Sequence, residues 1–122
     1  DCKPGVCDDI SLCYHYLEAL VDLLGMHKQS PPFLFKSPAE NFPDKAGLSG
    51  WVPLIESGIQ IHTLTPKNFI SVDVYSCAEF STANVLALSA QFFEPAEVEY
   101  QLMNRGLKYH GEEVRHENGA RV

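Results

Sequence analysis

The stretch Ser49-Gly50-Trp51-Val52-Pro53-Leu54-Ile55-Glu56-Ser57-Gly58-Ile59-Gln60-Ile61-His62-Thr63 reads as strand, break, strand. Leu54 and Ile55 are apolar, Glu56-Ser57-Gly58 interrupts, and Ile59-Gln60-Ile61-His62 alternates. Side chains of a strand point alternately to its two faces, so Ile59 and Ile61 share one face and Gln60 and His62 the other. A serine therefore stands beside a glycine at a strand junction, with a histidine on the following strand. Fifteen residues after His62 comes Cys77, at the end of the alternating run Ile70-Ser71-Val72-Asp73-Val74-Tyr75. A hydroxyl, an imidazole and a thiol at or near strand ends make a candidate chemical site. Each also has an ordinary structural reading. Serine beside glycine is a common turn pair, a strand-face histidine packs, and a lone cysteine behaves as a small buried hydrophobe.

The rest of the chain supplies elements to cover such strands. Asp8 or Asp9 can cap a helix, after which Ile10, Cys13, Tyr14, Leu17, Leu20, Val21 and Leu24 recur at helical spacing. Gly25 is the C-terminal stop. This periodicity predicts an amphipathic helix packed on a sheet and asks no function of Tyr14 or His15. Pro31-Pro32 blocks helix and leads into a short strand, Phe33-Leu34-Phe35. Residues 36 to 47 form a loop with prolines at 38 and 43 and one aromatic residue, Phe42, without core periodicity. Strands are expected at about 49–55, 59–63 and 69–76, with a turn at Pro66-Lys67-Asn68. Pro53 in the first of these points to an edge or a bulge. Ser81 or Thr82 caps a second helix that turns Val85, Leu86, Leu88, Phe92 and Phe93 inward and stops at Pro95. Residues 96–103, with Val98, Tyr100 and Leu102 alternating, read as a last strand. Together these predict an α+β fold, a two-layer sandwich with both helices on one face of an antiparallel sheet. The domain spans 1–108, and 109–122 is a polar, mobile C-terminal tail in which His110 and His116 carry no assigned role.

The chain has 122 residues and a net charge of −7, one domain with room for a modest core. The acidic balance argues against a nucleic-acid groove or an anionic membrane surface. No apolar run approaches the ~20 residues of a membrane span, and no signal peptide is visible. Cys2, Cys7, Cys13 and Cys77 match no zinc spacing. They are expected as free thiols of a reducing cytoplasm, with no metal site.

Ser49-Gly50, Glu56-Ser57, Ile61-His62-Thr63, Val72-Asp73-Val74 and Cys77 resemble, in this order and spacing, the short prokaryotic S-adenosylmethionine decarboxylases. Asp1-Cys2 with Asp8-Asp9 is similar to the start of that family's first helix, and Arg105-Gly106 to its late Arg-Gly pair. The resemblance implies a pyruvoyl-dependent decarboxylase of polyamine biosynthesis, working as a homodimer of processed protomers, and a strand upstream of Asp1. Decarboxylation of an α-amino acid needs an electron sink, which no ordinary side chain provides. The family makes its own from the chain. By that analogy the Ser57 hydroxyl attacks the Glu56 carbonyl carbon, the amide becomes an ester, and loss of the Ser57 α-proton eliminates the ester. Hydrolysis then leaves a pyruvoyl group in place of Ser57, with one fragment ending at Glu56 and the other beginning at former Ser57. The resemblance gives processing roles to Ser49 and His62, an imidazole being suited to proton transfer near neutral pH. It gives Cys77 the protonation of carbon after carbon dioxide leaves, and Phe42 a stacking role against the adenine of the substrate.

Three departures from the family pattern bear on the substrate. Gly58 follows Ser57 where the family has histidine. The family's His-Thr-Trp-Pro-Glu is here His62-Thr63-Leu64-Thr65-Pro66. The tryptophan that stacks on adenine and the glutamate that binds the ribose are both replaced. Loss of the ribose contact alone costs on the order of 2 kcal/mol if its partners stay buried and unpaired. The departures argue against S-adenosylmethionine, the family default, and the resemblance, which takes in relatives that decarboxylate free arginine or ornithine, implies free L-arginine or L-ornithine instead. A non-catalytic dimeric homologue acting as a regulatory partner is the alternative. Retention of Ser49, Glu56-Ser57, His62 and Cys77 argues against it.

Overall fold

The computed structural model describes residues 1–104. The polar tail at 109–122, Arg105-Gly106, His110 and His116 lie outside the described residues. Among them the chain runs helix, four strands, helix: α1 (Ile10–Leu24), β1 (Phe33–Ser37), β2 (Gly47–Leu54), β3 (Ser57–Leu64), β4 (Phe69–Ser76) and α2 (Thr82–Phe93). The strands form one antiparallel sheet in sequence order, β1-β2-β3-β4, and the fold is the α+β sandwich expected.

Local chemistry sets the element ends. The Asp9 side chain accepts a hydrogen bond from the Leu12 N–H, satisfying a donor that a helix start leaves free. Gly25 closes α1 in the left-handed region at φ 68°, where glycine meets no Cβ penalty. Ser81 caps α2 through the Asn84 N–H. Pro53 stands where β2 has outrun β1. Pairing of those strands begins at Trp51 and runs back to Gly47, and past Trp51 the β1-side edge of β2 meets the bridge between Lys28 and Leu54. The proline thus costs no hydrogen bond to β1.

The core lies between the helices and one sheet face. Tyr16, Leu17, Leu20 and Val21 of α1 meet Leu48, Val52, Ile59, Ile61 and Val74 of the sheet, and Phe93 of α2 closes against the Tyr16 ring at 4.6 Å. The Tyr16 hydroxyl and Ser89 Oγ share a 2.7 Å hydrogen bond that ties the two helices, and burial pushes the phenol up to about 12. Thr63 is a buried polar link. Its Oγ1 accepts from the Leu48 N–H at 2.8 Å and donates to the Cys7 carbonyl at 2.6 Å, fastening the N-terminal turn at Val6–Asp8 to the sheet.

One expected element is corrected. Residues 96–103 form no strand. Val98, Tyr100 and Leu102 are all exposed, and the segment is tied back by the Ala96 N–H on the Asp1 carbonyl. Alternation specifies faces, but a strand exists only through a partner's ladder, and no described strand pairs with this segment.

Candidate active site

The Glu56–Ser57 peptide is the tip of the β2–β3 hairpin. Leu54 pairs with Ser57, so Ile55 and Glu56 alone form the loop. Two-residue hairpin loops usually need positive φ at their central residues and recruit Asn-Gly or Gly for it. Neither Ile55 nor Glu56 supplies it. The positive φ falls instead on Ser57, at 152°. A non-glycine residue held there carries about 1–3 kcal/mol of backbone strain, at the residue whose hydroxyl the resemblance makes the nucleophile.

Three contacts hold the junction. The Cys77 N–H donates to the Glu56 carbonyl oxygen at 3.0 Å, one step beyond the Ser57–Ser76 pair of the β3–β4 ladder. That carbonyl is the group Ser57 would attack, so the N–H is placed to stabilise negative charge developing on its oxygen. The Ile55 N–H donates to the His27 carbonyl at 2.9 Å. The Glu56 carboxylate is gripped by His27, whose backbone N–H donates to Oε1 at 3.0 Å and whose Nδ1 lies 2.8 Å from Oε2. The backbone N–H first, and the imidazole second, hold the Glu56 carboxyl below its ordinary value.

The four thiols separate into two kinds. Cys7 and Cys13 are buried, and desolvation lifts them to about 11 and 12. They donate weakly to Phe69 and Val6 carbonyls as parts of the core. Cys77 is exposed, and its backbone N–H meets the Glu56 carbonyl. Protonation of a substrate carbon requires that accessibility.

The other expected residues lie elsewhere in the chain. Ser49 and His62 are register partners on adjacent strands, and Ser49 Oγ lies 3.0 Å from His62 Nδ1. The pair sits on the outer sheet face, away from the helices. His62 is five residues along β3 from Ser57, about 16 Å by strand rise. Phe42 precedes the short turn at Pro43–Lys45 and is exposed. It belongs to the opposite end of the sheet from the Glu56–Ser57 junction, as do Leu64 and Thr65. A cavity of about 450 Å3 lies there too, lined by Asp8, Lys36, Gly47 and Thr65 among others. Within one chain, then, Glu56, Ser57 and Cys77 come together, Ser49 and His62 come together, and Phe42 joins neither group. His27 is the site residue that the sequence did not announce. It follows the glycine stop of α1 and reaches Glu56 across 29 positions, so no local pattern carries it.

Residues 1–106 match a family model described as S-adenosylmethionine decarboxylase. No curated protein and no solved structure matches the chain.

Proposed function

The chain belongs to the S-adenosylmethionine decarboxylase family, a family of pyruvoyl-dependent decarboxylases, and on that premise we propose that it cleaves itself between Glu56 and Ser57 and then decarboxylates free L-arginine or L-ornithine. The observation that carries the cleavage is the Cys77 N–H on the Glu56 carbonyl, beside a Ser57 held at positive φ. Attack by the Ser57 hydroxyl turns this amide into an ester and develops charge on an oxygen already facing a donor. The replacement of a strained amide by an ester relieves the backbone at residue 57. These residues fit a pyruvoyl group generated in place. Once formed, that group supplies the electron sink for loss of carbon dioxide. The chain's own part is to hold the substrate and to deliver a proton, which Cys77 does from its position beside residue 57.

The reading against S-adenosylmethionine is supported by what stands in place of the nucleoside contacts. Leu64 offers no aromatic face and Thr65-Pro66 no carboxylate. The Ser49–His62 pair is remote from Ser57 in a single chain, so its role in processing calls for a second copy. The outer sheet face suits that association, carrying exposed Phe33, Phe35, Trp51, Phe69 and Tyr75. The working form is therefore a homodimer of processed protomers.

Carboxyl-labelled arginine, ornithine and S-adenosylmethionine, supplied separately to processed protein, decide the substrate. Released carbon dioxide is expected from arginine or ornithine. Clear preference for S-adenosylmethionine contradicts the substrate assignment and leaves the cleavage chemistry in place.

A further inference from the structure

A shallow groove of about 130 Å3 runs along the outer sheet face, lined by Trp51, Gly58, Gln60, Asp73 and Tyr75. The register explains its shape. Gly58 pairs with Tyr75, Gln60 with Asp73, and Trp51 lies across from Gln60 on β2. A Cβ built on Gly58 would lie 3.1 Å from Trp51 Nε1, so the indole leans over the glycine and the groove exists because residue 58 has no side chain. Its near end is one residue from Ser57. Its far end, at Gln60 and Asp73, is two residues further along the strands, about 6.6 Å. Asp73 is half-buried and makes no ion pair among the described residues.

We propose that this groove holds the side chain of the substrate, with Asp73 accepting hydrogen bonds from its terminal guanidinium or ammonium group. The inference rests on the dibasic-substrate reading above and gives it a residue. From position 57 to the Gln60–Asp73 pair is three residues of strand, about 10 Å, a span within reach of the flexible carbon stem and terminal group of an extended dibasic amino acid. Aromatic faces beside a carboxylate suit an organic cation, the faces through their π-electrons and the carboxylate through charge-assisted hydrogen bonds. The chain's net charge of −7 favours the approach of such a ligand. In this arrangement Trp51 and Asp73 select the side chain, while the chemistry stays with Ser57 and Cys77.

Trp51 is the chain's one tryptophan, so intrinsic fluorescence reports on the groove directly. Arginine, ornithine and citrulline, the neutral counterpart of arginine, are titrated into purified protein and into Asp73→Asn. The expected result is a saturable change in Trp51 emission with arginine or ornithine. It weakens about ten-fold or more with citrulline, and by a similar factor in Asp73→Asn. Equal response to citrulline, an unchanged response in Asp73→Asn, or no saturable response in the wild type overturns the proposal. If Asp73→Asn does not fold, the citrulline comparison in the wild type still decides. Gly58→Leu, which fills the groove, must also abolish the arginine response. This binding needs no cleavage. An uncut chain that still selects arginine over citrulline contradicts the self-cleaving reading alone, and a cut chain that does not select contradicts the groove alone.

Discussion

Cys77 and His27 both touch residue 56, but they do different things there, and only one was legible from sequence. Cys77 closes an alternating run, and the family resemblance singled it out. Its backbone N–H donates to the Glu56 carbonyl, a contact separate from the role in turnover proposed for its side chain. Cys77→Ala keeps that N–H. The variant is expected to cleave itself and then to turn over more slowly by a factor on the order of 10²–10⁴, measured as carbon dioxide release from processed protein. A merely packing thiol predicts an unchanged rate. His27 acts on the Glu56 carboxylate, which it holds below its ordinary value. A depressed carboxyl contributes stability that is fully present above the unfolded pKa and is lost as pH falls through the folded one. His27→Ala removes the imidazole and leaves the backbone N–H. Its expected cost is about 0.2–1 kcal/mol, the range for an exposed pair, visible as a lower urea midpoint at neutral pH. The difference from the wild type should vanish in acid once Glu56 is protonated. The variant should also slow the proposed cleavage, because the carboxylate is one of the three holds on the Glu56–Ser57 junction.

At the scale of the element, what could be read was what depends on neighbours in sequence. Asp8 or Asp9, Gly25, and Ser81 or Thr82 announced helix ends because caps are made within one turn, and the caps are Asp9, Gly25 and Ser81. Alternation placed His62 and Gln60 on the outer face correctly, because side-chain direction in a strand has period two. The segment at 96–103 has the same alternation and no ladder, because a hydrogen-bonding partner is not a local property. Thr63 shows the converse. It reads as one more strand residue, yet its hydroxyl joins Leu48 of β2 to Cys7 of the N-terminal turn in a fully buried setting. Thr63→Val keeps the shape and leaves both the Leu48 N–H and the Cys7 carbonyl without that partner. The expected loss is about 1–3 kcal/mol in denaturant unfolding, with the cleavage products themselves unchanged. A loss near zero means that water or a shifted backbone replaces the hydroxyl.

In the whole molecule, the helices cover one sheet face and leave the other with aromatic rings, the Ser49–His62 pair and the groove beside Gly58. The sequence pattern grouped Ser49, Glu56, Ser57, His62 and Cys77 as one constellation. The sheet divides it, because five residues of strand separate Ser57 from His62 and hydrophobic periodicity says nothing of distance along a strand. What remains together in one chain is the junction itself: a strained Ser57, the carbonyl it would attack, and the N–H that faces that carbonyl. The account rests on that junction being a cleavage site. Intact mass under denaturing conditions tests it most directly, on purified wild-type protein and on Ser57→Ala. The account predicts two fragments from the wild type, parted between Glu56 and former Ser57, the second lacking a free amine at its first residue, and one uncut chain from Ser57→Ala. A single intact mass in wild-type protein that nonetheless decarboxylates its substrate contradicts it.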